Sequence, residues 1–366
     1  MYIKKALSII AILLSITSCI KKEALNAEAD ILSCTVPTNI LIREPVIQNN
    51  SITIRIKDGT EVSAIAPTFT LTPGATIEPA SGTVRDFTTP QKYTVTSQNK
   101  EWSKTYTVTF TTEQIPTIYT FQDTIVTPES KGQYFVMVEK TDGYMIWASG
   151  NPGYKSSGMA KNPYDYPTVQ DSIGGIEGGK CAKLQTKSTG AFGSMVNMPI
   201  AAGNLFIGSF DGSTAVIKPL ASTKFGLPFY HEPTYITGFY KYKAGEKYMD
   251  KKVEVPGKKD MFSIYAVFYE TTEEIRTLDG YFKANGYTSP NLVALGMIEN
   301  PSETDEWKLF TIPFKYDYNK TIDNNRLKGG GYNVSIIFTS SVDGDNFAGA
   351  VGSTLYLDKV ELHYKN

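Results

Sequence analysis

Residues 147–166 place Trp147, Tyr154, Tyr164 and Tyr166 in one turn-rich stretch with Asn151 and Asp165. Ring faces can lie against the C–H side of a sugar, and a carboxamide or carboxylate can hydrogen-bond its hydroxyls. Phe229-Tyr230-His231-Glu232 is a second dense cluster of the same types. Glycan recognition is the chemistry that these residues would perform. Each also has a plainer and commoner role. Trp147 would then be a core or loop anchor, Tyr154 and Tyr166 would pack over a sheet, and His231 and Glu232 would be an exposed loop pair. Glycoside hydrolysis instead needs two carboxylates flanking the scissile bond. Asp211, Glu232, Glu270, Asp279 and Asp343 are candidates, but no local motif pairs any two of them.

Asp343-Gly344-Asp345-Asn346 offers the oxygen ligands that Ca²⁺ prefers, with Asp358 as a natural third. A plain Asp/Gly turn is the favoured reading, and a structural Ca²⁺ on Asp343, Asp345 and Asp358 is the alternative. No other cofactor is called for. His231 and His363 are the two imidazoles of the chain, which argues against imidazole acid–base catalysis. G-x-S-x-G, H-E-x-x-H and phosphate-loop motifs are absent from the sequence. Lys328 precedes its three glycines, so that run reads as a turn.

These residues need a scaffold, and composition says which kind. The chain has 366 residues, 36 Lys plus Arg against 37 Asp plus Glu, 23 Tyr, 18 Phe and only 3 Trp. Balanced charge argues against nucleic acid as a partner. Tyr and Phe favour strands, and the length suits two domains. From 31 to 114 short β-type runs alternate with turns. Ile52, Ile54 and Ile56 share one face of a strand, and Tyr106, Val108 and Phe110 one face of another. Further strands fall at 65–72 and 93–96. That spacing suits a small Ig-like β-sandwich. Beyond Ile115-Pro116, residues 117–366 give strands at 134–138, 182–186, 263–269, 307–313, 333–339 and 354–364, with long polar insertions at 149–180, 241–260 and 271–305. Residues 263–270 are nearly continuous apolar, as in a strand covered on both faces. An all-β protein with a decorated double-sheet jelly roll is the economical reading.

Residues 1–18 have Lys4 and Lys5 before an apolar run too short to span a bilayer. Ile16-Thr17-Ser18-Cys19 resembles a bacterial lipobox, which implies a signal peptide over 1–18, lipidation of Cys19 and a tether over 19–30. The lipid would be the one membrane attachment, and the outer membrane, facing the periplasm or the cell exterior, the expected location. Cys34 and Cys181 are then left over. Two free, buried or partly buried thiols are favoured, and a disulfide between them is the alternative.

Residues 54–110, with Gly74-Ala-Thr-Ile-Glu-Pro-Ala-Ser-Gly82 and Tyr106-Thr-Val-Thr-Phe110, resemble the Ig-like domains of Bacteroidetes surface lipoproteins. The later strings are Trp147-Ala-Ser-Gly-Asn-Pro-Gly-Tyr154, Gly203-Asn-Leu-Phe-Ile-Gly208, Phe225-Gly-Leu-Pro-Phe229, Asp343-Gly-Asp-Asn-Phe-Ala-Gly-Ala350 and Gly352-Ser-Thr-Leu-Tyr-Leu-Asp358. They resemble the putative carbohydrate metabolism domain of such lipoproteins. The resemblance implies a galactose-binding-like jelly roll and a role in glycan use. It carries over no catalytic residue. The leading expectation is a surface lipoprotein that binds polysaccharide or oligosaccharide, with the Ig-like unit as a spacer, acting beside other glycan-utilisation surface proteins. Trp147, Asn151, Tyr154, Asp165, Tyr166, Tyr230, His231 and Glu232 are its candidate ligand contacts. A glycoside hydrolase and a structural adhesin or pilus-type subunit are the alternatives.

Overall fold

The computed structural model describes residues 24–365, apart from 43, 48, 58–59, 113–114, 141–143 and 318. Cys19 and the signal segment lie outside the described residues. Two compact units divide the chain, one mostly before and one after residue 112. Among the described residues no helix is long and apolar enough to cross a membrane.

In the N-terminal unit a five-stranded sheet runs Val46–Ile47, Ser51–Ile56, Ser103–Thr112, Gln91–Thr96 and Thr76–Glu78. Ile31–Thr35 pairs antiparallel with Thr68–Leu71 in a second, two-stranded sheet. Alternation explains the core. Ile52, Ile54, Tyr93, Val95, Tyr106 and Val108 are buried together with Phe69 and Cys34. Tyr93 faces Tyr106 across the ladder and meets the Phe69 ring edge-on at 4.8 Å.

The C-terminal unit is built on two larger sheets. The first runs Thr168–Asp171, Cys181–Gln185, Thr354–Tyr364, Pro233–Lys243 and Thr304–Pro313, with Ile118–Tyr119 also on Thr354–Tyr364. The second runs Asn204–Phe206, Tyr332–Thr339, Ser263–Glu270, Leu292–Met297 and Lys315–Tyr316, with Leu227–Pro228 on Tyr332–Thr339. Period-two alternation puts Ile236, Gly238, Tyr240 and Tyr242 on the buried face of their strand, and Tyr235, Thr237, Phe239 and Lys241 on the other. Phe262 packs at 4.7 Å from Tyr240 and 4.9 Å from Tyr242. Trp147 plugs the space between the sheets, 4.9 Å from Tyr119 of the first and 6.1 Å from Phe338 of the second.

Ser263–Glu270 is buried on both faces. Its outward residues Tyr265, Val267 and Tyr269 pack with Phe206 and Ile337 of the same sheet, Phe225 of the short Thr223–Phe225 strand, and Leu278 and Phe282 of the 271–305 insertion. The insertions are more structured than their polarity suggests. Thr168–Asp171 and Leu292–Met297 are full members of the two sheets, and Tyr248–Asp250 pairs with Ala348–Ala350. The apolar Leu-Val-Ala-Leu run is short and lies among polar residues, which hides it in the composition of 271–305.

Both Cys34 and Cys181 are free and buried. Burial pushes each thiol up to about 12, which leaves it protonated and unreactive at neutral pH.

Candidate functional site

Segments connecting the strands cover the outer face of the second sheet and form a partly enclosed cavity of about 200 Å³. Its floor includes Phe206, Tyr265, Ile337 and Thr339 from strands, and its walls come from segments near 150–157, 189–202, 210–225, 280–283 and 341–347. Rings of Phe192, Phe206, Phe210, Phe225, Tyr265 and Phe347 line it. At the mouth, Phe192 is 43% exposed.

One end is polar. Lys283, from the short Tyr281–Ala284 helix, pairs with Asp345 Oδ1 and donates to the Val342 carbonyl. Both side chains are largely buried. Asp345 Oδ2 is buried and has no hydrogen-bond partner among the described residues. An unsatisfied buried acceptor costs about 1–3 kcal/mol, so this oxygen calls for a donor. The turn that carries it is held in two ways. Asp343 Oδ2 accepts from Tyr248 Oη at 2.6 Å and from Lys258 Nζ at 3.1 Å. Burial opposes ionisation of Asp343, but the Tyr248 hydroxyl and the Lys258 ammonium outweigh it and hold the carboxyl below its usual range. Gly344 lets the turn approach Ala202 closely, since a Cβ there would sit 2.4 Å from the Ala202 methyl.

Tyr265 and Tyr287 lie beside this end. Burial raises both hydroxyls, helped by the Asp345 charge, Tyr287 to about 12. Both therefore stay protonated and able to donate. Asp345 is the one carboxylate among the described lining residues, so the cavity does not present the carboxylate pair of a two-acid hydrolysis.

The residues singled out from sequence are placed as follows. Trp147 is 2% exposed and sits in the inter-sheet core, so its faces are not open to a ligand. Asn151 lines the cavity, but its carboxamide is spent on the neighbouring strand, donating to the Thr168 carbonyl at 2.7 Å and accepting from the Thr168 amide at 3.1 Å. Tyr154 also lines it and donates to the Ser188 carbonyl. Tyr166 is buried beside Tyr154 and Tyr134 and donates to the Gly132 carbonyl. Asp165 caps a one-turn helix by accepting from the amides of Lys161 and Asn162.

Tyr230 lies against Gly330. His231 stacks on Tyr364 at 4.3 Å, and Glu232 pairs with Lys365. That cluster straps the chain terminus instead of joining the cavity. Asp343, Asp345 and Asp358 are not gathered into a metal site. Lys258 and Lys283 neutralise the first two, and Asp358 accepts from the Ile176 and Lys359 amides. Among the described residues no group of three His, Cys, Asp or Glu side chains could hold an ion. Lys283, Phe192, Phe210 and Tyr265 were not singled out. Tyr265 had a signal, because an apolar strand with two covered faces must have something packed outside it. Lys283 had none.

Residues 120–363 match the family described as "Putative carbohydrate metabolism domain", and residues 31–110 match "SGBP, N-terminal". A solved structure described as a putative glycoside hydrolase from Bacteroides thetaiotaomicron vpi-5482 is 52% identical, with a TM-score of 0.78, covering 94% of this chain and 99% of its own. Another, described as a putative glycoside hydrolase from Bacteroides vulgatus ATCC 8482, is 45% identical, with a TM-score of 0.67, covering 69% of this chain and all of its own. A comparison with curated proteins returned no match. Match length and identity agree with the motifs at 147–154, 203–208 and 343–358: this chain belongs to the putative carbohydrate metabolism domain family.

Proposed function

We propose that the C-terminal unit binds a glycan end group in the roofed cavity, on a lipid-anchored outer-membrane protein whose N-terminal unit is a spacer. The carrying observation is Asp345 Oδ2, a buried acceptor with no hydrogen-bond partner among the described residues, at the polar end of a ring-lined cavity. A sugar hydroxyl supplies the donor that this oxygen lacks, and the rings accept the C–H face. Titration calorimetry of the purified chain with a panel of oligosaccharides tests the reading. At least one sugar should bind, and Asp345→Ala should weaken it about tenfold, the worth of one hydrogen bond to a charged group. Binding of none, or an unchanged affinity in the variant, overturns it. Replacing Cys19 by Ser should release the chain from the membrane fraction. Persistence there would sink the anchor.

The second reading is glycoside hydrolysis, favoured by the description of the two related structures as putative glycoside hydrolases. The lone carboxylate of the cavity weighs against it. Release of reducing ends from a polysaccharide, abolished by Asp345→Asn, would reverse that preference.

A further inference from the structure

A second concavity lies on the other side of the sandwich. An open trough of about 870 Å³ covers part of the outer face of the first sheet, where Lys241, Lys243 and Tyr356 meet the turn at 244–247. Lys241 Nζ sits 4.7 Å from the centroid of the Trp307 ring, which lies beside the trough, and 5.2 Å from that of Tyr356, which lines it. Lys183 approaches the same Tyr356 ring at 5.7 Å. Ring faces attract an ammonium through their quadrupole, so Lys241 is kept on the sheet instead of swinging into water. Its nearest polar partner is a carbonyl, Gly174 O, at 3.4 Å.

Acidic residues also border the trough, namely Asp171, Glu246 and Asp305. Their pairing decides the balance. Asp171 Oδ1 is turned back on its own loop, accepting from the amides of Ile173 and Gly174 at 3.1 and 2.8 Å. Neither Asp305 nor Glu246 forms an ion pair with Lys183, Lys241 or Lys243 among the described residues. Lys247 is taken by Glu254 at 3.2 Å. Lys183 and Lys241, beside two ring faces, thus form no ion pair among the described residues, while the charge of Lys243 acts on Glu303.

We propose that this trough, together with the strand face beside it that carries Lys183 and Trp307, binds an acidic polysaccharide, one with carboxylate or sulfate groups along a chain of sugar rings. The anionic groups would meet Lys183 and Lys241, and the rings would lie against Trp307 and Tyr356. The site is separate from the roofed cavity and does not depend on the reading given for it.

Affinity electrophoresis of the purified chain through gels containing polygalacturonate, alginate or chondroitin sulfate tests this, with neutral galactan and dextran as controls. Retardation by at least one acidic polymer is expected, falling as salt rises because exposed charges are screened. Lys241→Gln should weaken it about tenfold. Trp307→Ala should also weaken it; that change leaves the net charge alone and so separates a built site from simple ion exchange. Asp345→Asn, in the other cavity, should leave it intact. Thermal unfolding checks that each variant is folded, and Lys183→Gln serves if Lys241→Gln is not. Equal retardation by neutral polymers, no retardation by any acidic one, or indifference to both the Lys and the Trp changes would overturn the proposal.

Discussion

On the second sheet Tyr265, Val267 and Tyr269 point outward yet are almost fully buried, because connecting segments lay Phe225, Leu278 and Phe282 across them beside Phe206 of the same sheet. On the first sheet the outward residues Tyr235, Phe239 and Lys241 keep solvent access, and Leu309 beside Phe239 is 56% exposed. Both faces are rich in rings. What differs is the cover, and with it the kind of ligand that each face suits. A more enclosed face strengthens each polar contact within it, which is why the contact proposed there rests on a single carboxylate oxygen. An open face works in screened solvent and needs several charges with ring platforms. The difference lies in the loops, while the two sheets share one architecture.

The largest expected effect falls on the roofed face. Tyr265→Ala removes a ring that is 3% exposed and should cost about 3–5 kcal/mol, in the range of buried aromatic truncations. Chemical denaturation of the purified chain measures it. A loss below about 1 kcal/mol would mean that the roof is not packed on the sheet, and the contrast between the faces would collapse. Gly344→Ala comes next. Its methyl would press on Ala202, so a stability loss of about 1–3 kcal/mol is expected from overpacking, together with weaker sugar binding as Asp345 moves. Unchanged sugar affinity would separate Asp345 from that site.

A smaller effect follows pH. The folded-state carboxyl of Asp343 lies below its ordinary value. Such a group stabilises the fold above its unfolded pKa of about 3.9, and that contribution is lost as pH falls through the lower folded value. The pair with Lys258 is about one-third exposed or more on both sides, so after solvent screening it amounts to about 1 kcal/mol or less. Asp343→Asn should therefore flatten part of the acid limb of the stability curve while changing little near pH 7. A variant curve parallel to the parent from pH 5 down to pH 2 would show that the turn carrying Asp345 is not held by this charge.

How much of this was legible in sequence depended on contact range. Alternation at Ile52–Ile56 and the continuous apolar run at 263–270 are local patterns and both give strands, with Ile52, Ile54 and Ile56 buried as expected and Arg55 between them buried too. The all-β architecture followed from many such runs. Trp147 shows the limit. Apolar Met145, Ile146 and Ala148 beside it and the turn formers after them make a core or loop anchor the commoner reading, but no local pattern names the rings that cover it, Tyr119 and Phe338 from distant strands. Asp345 shows it again. The Asp-Gly-Asp spacing reads as a plain turn, with oxygen ligands for Ca²⁺ as the alternative, and neither reading supplies the Lys283 ammonium, which comes from a helix with no distinguishing pattern. Glu232 meets Lys365, from the far end of the unit, in the same way. Residue types announced which groups could pair, and the fold chose the partners.

The smallest predicted effect tests the open face directly. Leu309 lies opposite Phe239 on the outer side of the first sheet, two residues after Trp307. If this face were covered as the other is, truncating a leucine there would cost several kcal/mol. With its side chain more than half exposed, Leu309→Ala should change stability by no more than about 0.5 kcal/mol, as surface substitutions do. The same denaturation experiment that reads Tyr265→Ala reads this one, so the two values form a ratio free of differences in method. A Leu309→Ala loss approaching that of Tyr265→Ala would mean that something packs on the first sheet in solution. The trough would then be a docking face for protein, not an open bed for a charged polysaccharide. A near-zero value keeps Trp307 and Lys241 accessible and leaves the open face free to bind.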